Sequence, residues 1–424
     1  MVKKEQTLLT AMVLGLSLLL VLRDIAGVGM SKFILLGYIV AFMAWVQYET
    51  LVYMLCFTMP LVCGLPGTYI MPCALALLIL KKGTLDLRRI WMICAVLGME
   101  LFAALWYPEF DLISIVQYAS FAGVLIYLIY DKTELDYQQC VRMFLLGVVL
   151  LNLVIIASGI LAAPANWLRW FATGRLRFGA IHVEENSGMT LNLNPNSMAY
   201  YSIVGACCGV LLAERTVGAQ RWCNLLLTAF CMVAGVFTVS VTWILVSAAC
   251  LGIYIVSKLR LSQKSISAVA ALLAVVAVAA MILNRNPEIW EGILARFTGE
   301  SLEGGNGRLD TLVLYSKDWL NNARWFFFGS GVTQYTGVIG HRAAIHNGTQ
   351  QILVCCGLVG FTIYMIILIG AVIKAGKGKK LPVVYWLPLI SGVLFVQSIQ
   401  FLNPMMLMLP FSIGIYAIKA GKES

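Results

Sequence analysis

Long apolar runs separated by short polar stretches dominate the chain. A helix needs about 20 mostly apolar residues to cross a bilayer, and fewer inside a packed bundle. On that measure the pattern predicts about 14 spanning helices: 7–22, 33–47, 50–65, 68–80, 90–106, 112–130, 141–163, 197–213, 223–240, 241–257, 266–283, 349–373, 382–400 and 404–419. The pairs 33–65 and 223–257 can each be read as a hairpin or as one long irregular element. Gly64-Leu65-Pro66-Gly67 is a turn signal. Two long polar stretches interrupt the rhythm. The expected architecture is therefore an all-α polytopic membrane protein in five parts: N-terminal spans in 1–163, a first long outer loop at 164–196, spans in 197–283, a second at 284–348 and C-terminal spans in 349–424. The two loops are expected to form a small extracytoplasmic lid with short helices.

Composition agrees with this pattern. Of 424 residues, 61% are hydrophobic and 12% charged, too few polar groups to coat a water-soluble globule. Soluble enzymes, disordered tails and secreted disulfide scaffolds are excluded. The 12 cysteines all fall in apolar stretches or at their ends, which argues against a stapled ectodomain and against a cysteine metal site. The apolar run after Met1–Glu5 reads as a first span rather than a removable signal.

A net charge of +10 would suggest nucleic acid in a soluble protein, but membrane proteins collect Lys and Arg in cytoplasmic loops. With the N-terminus inside, 19 basic residues fall on the inner side and 11 on the outer. Of the outer ones, Arg23 and Lys32 lie in a short loop and the other nine in the two long loops. Both termini are therefore expected in the cytoplasm, with no nucleic-acid partner.

The long loops also hold all three histidines, His182, His341 and His346. Basic and imidazole groups gathered there point to an outward-facing site for an anionic ligand, with a phosphate-bearing lipid as the natural candidate. In the first loop, alternating aromatics and arginines from Pro164 to Phe171 suit an interfacial helix. Arg175 and Arg177 follow between glycines, and their planar forks suit phosphate oxygens. Asn194-Pro195-Asn196 is a helix-start signal, with Asn194 as cap and Pro195 in the first turn, which opens a positive helix end beside the site. In the second loop, Gly304-Gly305-Asn306-Gly307 leads into Arg308, a possible phosphate clamp at a helix start. Phe328-Gly329-Ser330-Gly331 reads as a turn.

His346-Asn347 stands at the mouth of span 349–373. A continuous helix would bring Gly357 to nearly the same face as His346 and Gly360 to about 40° from it. The two glycines would then let a neighbouring helix approach and fix the histidine. A helix N-terminus favours neutral imidazole, the form that accepts a proton from a hydroxyl. Asp310, His341, Arg342, Asn347 and Asn196 join as candidate substrate-binding residues. Glu100, the acidic residue well inside a span, is expected to pair with a loop arginine and brace the site.

Taken together, the Arg-rich loop ending in Asn194-Pro195-Asn196, Arg308 with Leu312, and His346-Asn347 with Gly357 and Gly360 resemble the O-antigen ligase/polymerase superfamily of bacterial envelope glycosyltransferases. The resemblance covers roughly residues 160–375. It implies a metal-independent, cofactor-free enzyme of the bacterial cytoplasmic membrane, with its site facing outward. Such an enzyme takes a glycan from undecaprenyl diphosphate and passes it, with inversion, to a hydroxyl of a glycan or lipid-linked acceptor. By the same analogy Arg177 and Arg308 hold the pyrophosphate and His346 activates the acceptor. The family's Ser-Arg-Gly between two spans is replaced here by Val239-Ser240-Val241-Thr242-Trp243, without an arginine. Two rival readings stand beside it. A metal-dependent glycosyltransferase would use the pair Glu109 and Asp111. A flippase for lipid-linked glycan would use Glu100 within the membrane.

Overall fold

The computed structural model describes residues 3–83, 86–162, 164–172, 178, 193–259, 308–402 and 404–421. These residues are 80% helical and contain no strand. The helices are α1 (Lys3–Asp24), α2 (Lys32–Trp45), α3 (Tyr48–Thr58), α4 (Gly67–Lys82), α5 (Leu87–Ala104), α6 (Leu112–Ile129), α7 (Tyr137–Ala162), α8 (Trp167–Ala172), α9 (Pro195–Arg215), α10 (Gly218–Phe237), α11 (Val241–Leu259), α12 (Arg308–Asn321), α13 (Ala323–Phe328), α14 (Tyr335–Ile339), α15 (Gly348–Gly376), α16 (Leu387–Val396) and α17 (Pro410–Lys419). Short 3₁₀ turns follow α3 at Met59–Gly64 and precede α16 and α17.

Seven of these helices, α1, α6, α7, α9, α10, α11 and α15, are long and apolar enough to cross a membrane. Helix α5 has comparable length but carries Arg88, Arg89 and Glu100. The expected span 266–283 lies outside the described residues. Both ambiguous pairs resolve into two elements: 33–65 divides at Val46 and Gln47, and 223–257 divides at Thr238–Ser240. The expected single spans 382–400 and 404–419 are each a 3₁₀ turn followed by a ten-residue helix. Pro388 and Pro410 stand in the first turns of those helices, where a missing N–H is harmless and the backbone cannot extend upstream as α-helix.

Helix α9 is the centre, with α7, α10, α11, α16 and α17 around it. Its apolar window is 89% buried, whereas those of α10 and α11 are 28% and 22% buried, so the latter two form the periphery. Within lipid, packing and hydrogen bonds rather than escape from water hold helices together. Asn152 of α7 donates to Ser202 of α9 at 3.1 Å, a buried bond worth about 0.6 kcal/mol in that setting.

Buried carboxylates gather towards the two ends of the bundle. One end carries Asp131, just after α6. It accepts from Lys82 Nζ at 2.6 Å, Tyr48 Oη at 2.9 Å and Thr133 N at 3.0 Å, with Arg89 Nη2 at 3.6 Å. The other end carries Glu100, the Arg23–Asp24 pair, Asn194, Asn196 and Asn347. Arg23, expected in a short loop, is instead 4% exposed in the last turn of α1, held by Asp24 at 2.7 Å and donating to Gly64 O at 2.8 Å.

Candidate functional site

The second half of the site is built on a break in α15. Gly357 has φ 65° and ψ −176°, a conformation that glycine alone adopts without strain. The break interrupts the helical ladder at the carbonyls of Val354 and Cys355, which need donors from elsewhere. Ser330 N donates to Val354 O at 3.0 Å and Gly331 N to Cys355 O at 2.9 Å, so the 329–331 turn replaces the missing helical N–H groups. A Cβ at Gly357 would stand 2.4 Å from the Phe328 nitrogen, and one at Gly329 would stand 2.1 Å from Cys355 O. The Phe328–Gly331 turn and the Gly357 break are one interlocked joint.

Gly357 therefore does not share a stripe with His346 in the way a continuous helix would give. The break turns the backbone, and the partner of Gly357 is the main chain of residues 327–329 rather than a long neighbouring helix. Gly360 lies beyond the break and faces Met99 of α5, whose Cε would meet an added Cβ at 1.7 Å. Its small size lets α5 approach α15.

Glu100, one turn before the end of α5, locks the same turn from the other side. Its Oε2 accepts from Val332 N at 2.7 Å. Its Oε1 accepts from Thr333 N at 3.0 Å, from Thr333 Oγ1 at 2.8 Å and from the Tyr107 hydroxyl. The expected arginine partner is replaced by backbone and hydroxyl donors, which bring a carboxylate to a loop without burying a second charge. Glu100 is 2% exposed.

His346 is partly buried and precedes Asn347, the N-cap of α15, whose Oδ1 accepts from Gln350 N at 2.9 Å. Two sets of bonds clamp this helix start. Towards residues 397–402, Asn347 Nδ2 donates to Gln397 O at 2.8 Å, and Gln351 Oε1 accepts from Phe401 N and Leu402 N, both at 2.8 Å. Towards α12, Gln350 Nε2 donates to Leu312 O at 2.7 Å and to Ser316 Oγ at 3.1 Å. Leu312 lies one turn beyond Arg308, the first residue of α12. The helix that Arg308 begins is thus docked on the first turn of the helix that His346 precedes.

The remaining candidates have structural partners or open surface. His341 Nε2 lies 2.5 Å from Asp318 Oδ2 and stacks edge-on to Tyr315. Asp310, in the first turn of α12, and Arg342 are exposed. Tyr315 donates to Ala343 O at 2.7 Å, and Tyr335 Oη accepts from Ile345 N at 3.1 Å. Burial pushes both phenols up, Tyr335 to about 12, so each stays neutral while it holds the segment before His346. Asn194 caps α9, accepting from Asn196 N at 2.9 Å. Asn196 Oδ1 accepts from Ser240 Oγ at 2.9 Å, which ties the start of α9 to the turn between α10 and α11. In the first loop, Trp167 and Phe171 of α8 pack with Phe178 and Phe237. Arg175 and Arg177 lie outside the described residues, as does Gly304–Gly307, and of Arg308 only the backbone is described. Asp111 caps α6 through Ile113 N at 3.0 Å and Ser114 N at 3.2 Å. A hydrogen bond from Ser114 lowers its carboxyl below the usual range, which keeps the cap ionised.

Sequence reasoning missed Gln350, Gln351, Tyr107 and Thr333. The two glutamines were visible as adjacent amides opening a long apolar helix, a placement that calls for partners at once. Nothing in the sequence linked Thr333 to Glu100 across 233 positions. No protein-family model and no curated protein sequence matches the chain.

Proposed function

We propose that the protein is a membrane glycosyltransferase of O-antigen ligase/polymerase type, working at the outer face of a bacterial cytoplasmic membrane. In this reading the end of the bundle carrying Glu100 and His346 faces outward and both termini face the cytoplasm, as the distribution of short-loop charges favours. The segment 308–347, with its three short helices, would serve as a lid over the lipid-borne donor. The observation that carries the reading is the docking of α12 on the start of α15 through Gln350 and Leu312, which sets the Arg308 helix beside His346.

The chemistry is a displacement at an anomeric carbon. An acceptor sugar hydroxyl forms the new C–O bond, the bond to diphosphate breaks with inversion, and undecaprenyl diphosphate departs with the electron pair. His346 takes the hydroxyl proton. Arg308 and Arg177 meet the charge that grows on the diphosphate, a stabilisation that commonly dominates such reactions. Asn347 and the Gln350 clamp hold the imidazole's position, and Glu100 holds the lid turn by backbone donors. That commitment of Glu100 to four donors counts against the rival in which it carries protons for a flippase.

The test uses purified full-length protein in lipid nanodiscs with an undecaprenyl-diphosphate-linked glycan and no ion gradient. Release of undecaprenyl diphosphate and growth or transfer of glycan are expected from the wild type. His346→Ala and Arg308→Ala should each lose at least about 100-fold, the usual size for a general base or a charge-stabilising group. Arg308→Lys should also be poor, because the bidentate fork is lost. Near-normal transfer by His346→Ala would overturn the assignment.

A further inference from the structure

The Asp131 end of the bundle gathers cations that the proposed transfer does not use. Lys82, Arg88, Arg89, Lys132, Lys374 and Lys419 meet there around the carboxylates of Asp86 and Asp131. Part of this charge has an ordinary structural use. Lys82 is paired with Asp131, and Lys419 donates to the carbonyls of Asp131 at 3.0 Å and Ile129 at 3.3 Å, where α6 ends.

The rest does not balance. Lys374, near the end of α15, feels Lys132, Arg88 and Arg89 as like charges, with Asp86 opposing them. Asp86 is already shared between Arg89 Nε at 3.3 Å and Lys132 Nζ at 3.7 Å. The Arg88 guanidinium and the Lys374 ammonium converge on one ring, 5.5 Å and 5.9 Å from the centre of Tyr130. Beneath them Arg89 is 1% exposed, and its Nη1 has no hydrogen-bond partner. Arg88, Lys132 and Lys374 are exposed at the mouth of this group. Cations held so close repel one another unless a mobile anion sits among them.

The surroundings say where that anion comes from. Leu87 (68% exposed), Trp91 (72%) and Ile373 (64%) flank Arg88 and Lys374 in the sequence, and Arg88 and Trp91 share a helix face. Apolar surface edged by an exposed tryptophan and by cations is the character of a membrane–water boundary. We propose that Arg88, Lys132 and Lys374 form a binding site for the phosphate headgroup of an anionic phospholipid in the leaflet at this end of the bundle. Its acyl chains would lie along Leu87, Trp91 and Ile373, and Arg89 would add to the attraction from below. The site is independent of the glycosyltransferase reading and lies at the opposite end from His346.

The full-length protein, reconstituted in zwitterionic nanodiscs holding a minor fraction of phosphatidylglycerol, provides the test. Native mass spectrometry reads the retained anionic lipid, and thermal unfolding reads its protection. Each membrane-proximal cation contributes about fivefold in affinity. The triple variant Arg88→Gln/Lys132→Gln/Lys374→Gln should therefore lose at least about tenfold in retained lipid. The pair Lys377→Gln/Lys380→Gln removes exposed cations beyond the cluster and should lose less than about twofold. Unchanged retention in the triple variant, or an equal loss per charge in the control, would overturn the site. Protection of detergent-solubilised protein by inorganic phosphate as strong as that by phosphatidylglycerol would overturn the lipid as its source.

Discussion

Glu100 and Asp131 are both buried carboxylates at helix ends, and they are satisfied in opposite ways. Glu100 collects two backbone N–H groups and one hydroxyl from a turn far away in sequence, and a second hydroxyl from nearby Tyr107. Asp131 collects a lysine, an arginine, a tyrosine and its own Thr133. A carboxylate bound by neutral donors organises a loop. One bound by cations neutralises charge that several helices bring to the same place. The first arrangement positions the backbone of residues 330–333, and the second keeps the ends of α3, α4, α5 and α6 together.

The contrast breaks most sharply at Asp131. Asp131→Ala leaves Lys82 without its carboxylate and Arg89 with Asp86 alone, and should cost about 3–5 kcal/mol, read as a lowered melting point in detergent across the whole bundle. Glu100→Ala orphans neutral donors and no charge, so a loss nearer 3 kcal/mol is expected, confined to residues 323–345 and visible there as hydrogen exchange or proteolysis. Glu100→Gln should rescue it poorly, since an amide nitrogen would then face a backbone N–H. Gly357→Ala should cost about 1–3 kcal/mol in backbone strain alone, and contact with the main chain of Phe327–Gly329 adds to that. The same local exchange signature as Glu100→Ala would sharpen the view that the two residues hold one joint.

A smaller effect at Asp131 depends on pH. Burial alone would raise the Asp131 carboxyl, but hydrogen bonds from Lys82 and Thr133 outweigh it and hold it below the usual range. A carboxyl depressed on folding stabilises fully above its unfolded value of about 4, and that contribution disappears as pH falls through the lower folded value. Melting points should therefore drop below about pH 4, and the drop should be shallower in Asp131→Asn. The smallest expected change is Asn194→Ala, about 1 kcal/mol for a lost helix cap. Ser240→Ala should leave that cap intact and remove the tie to Asn196 together with the bond that Ser240 Oγ accepts from Trp243 N.

Helix positions were legible in the sequence where one apolar run carried no proline. The runs 112–130, 141–163 and 197–213 fall within a residue or a few of α6, α7 and α9. The cap at Asn194-Pro195 was equally legible, because the residue types and their order carry the signal. The His346–Gly357 stripe was not. Projection along an ideal helix assumes continuous backbone, and the only warning was a glycine that could equally have served packing. Glu100 was visible as an oddity, but its partners lie 232 and 233 positions away, on a turn whose N–H groups have no sequence signature.

By itself the sequence determined that this chain is a bundle of apolar helices and that Asn194 and Asn347 stand at helix starts, because hydropathy and capping are local properties. Tertiary structure alone decided that α15 breaks at Gly357, that the Gly329–Gly331 turn fills the break, and that α12 lies against the start of α15. Those arrangements arise where backbone donors and acceptors buried among apolar helices must find each other across the fold, and the choice of partner is made in space rather than along the chain.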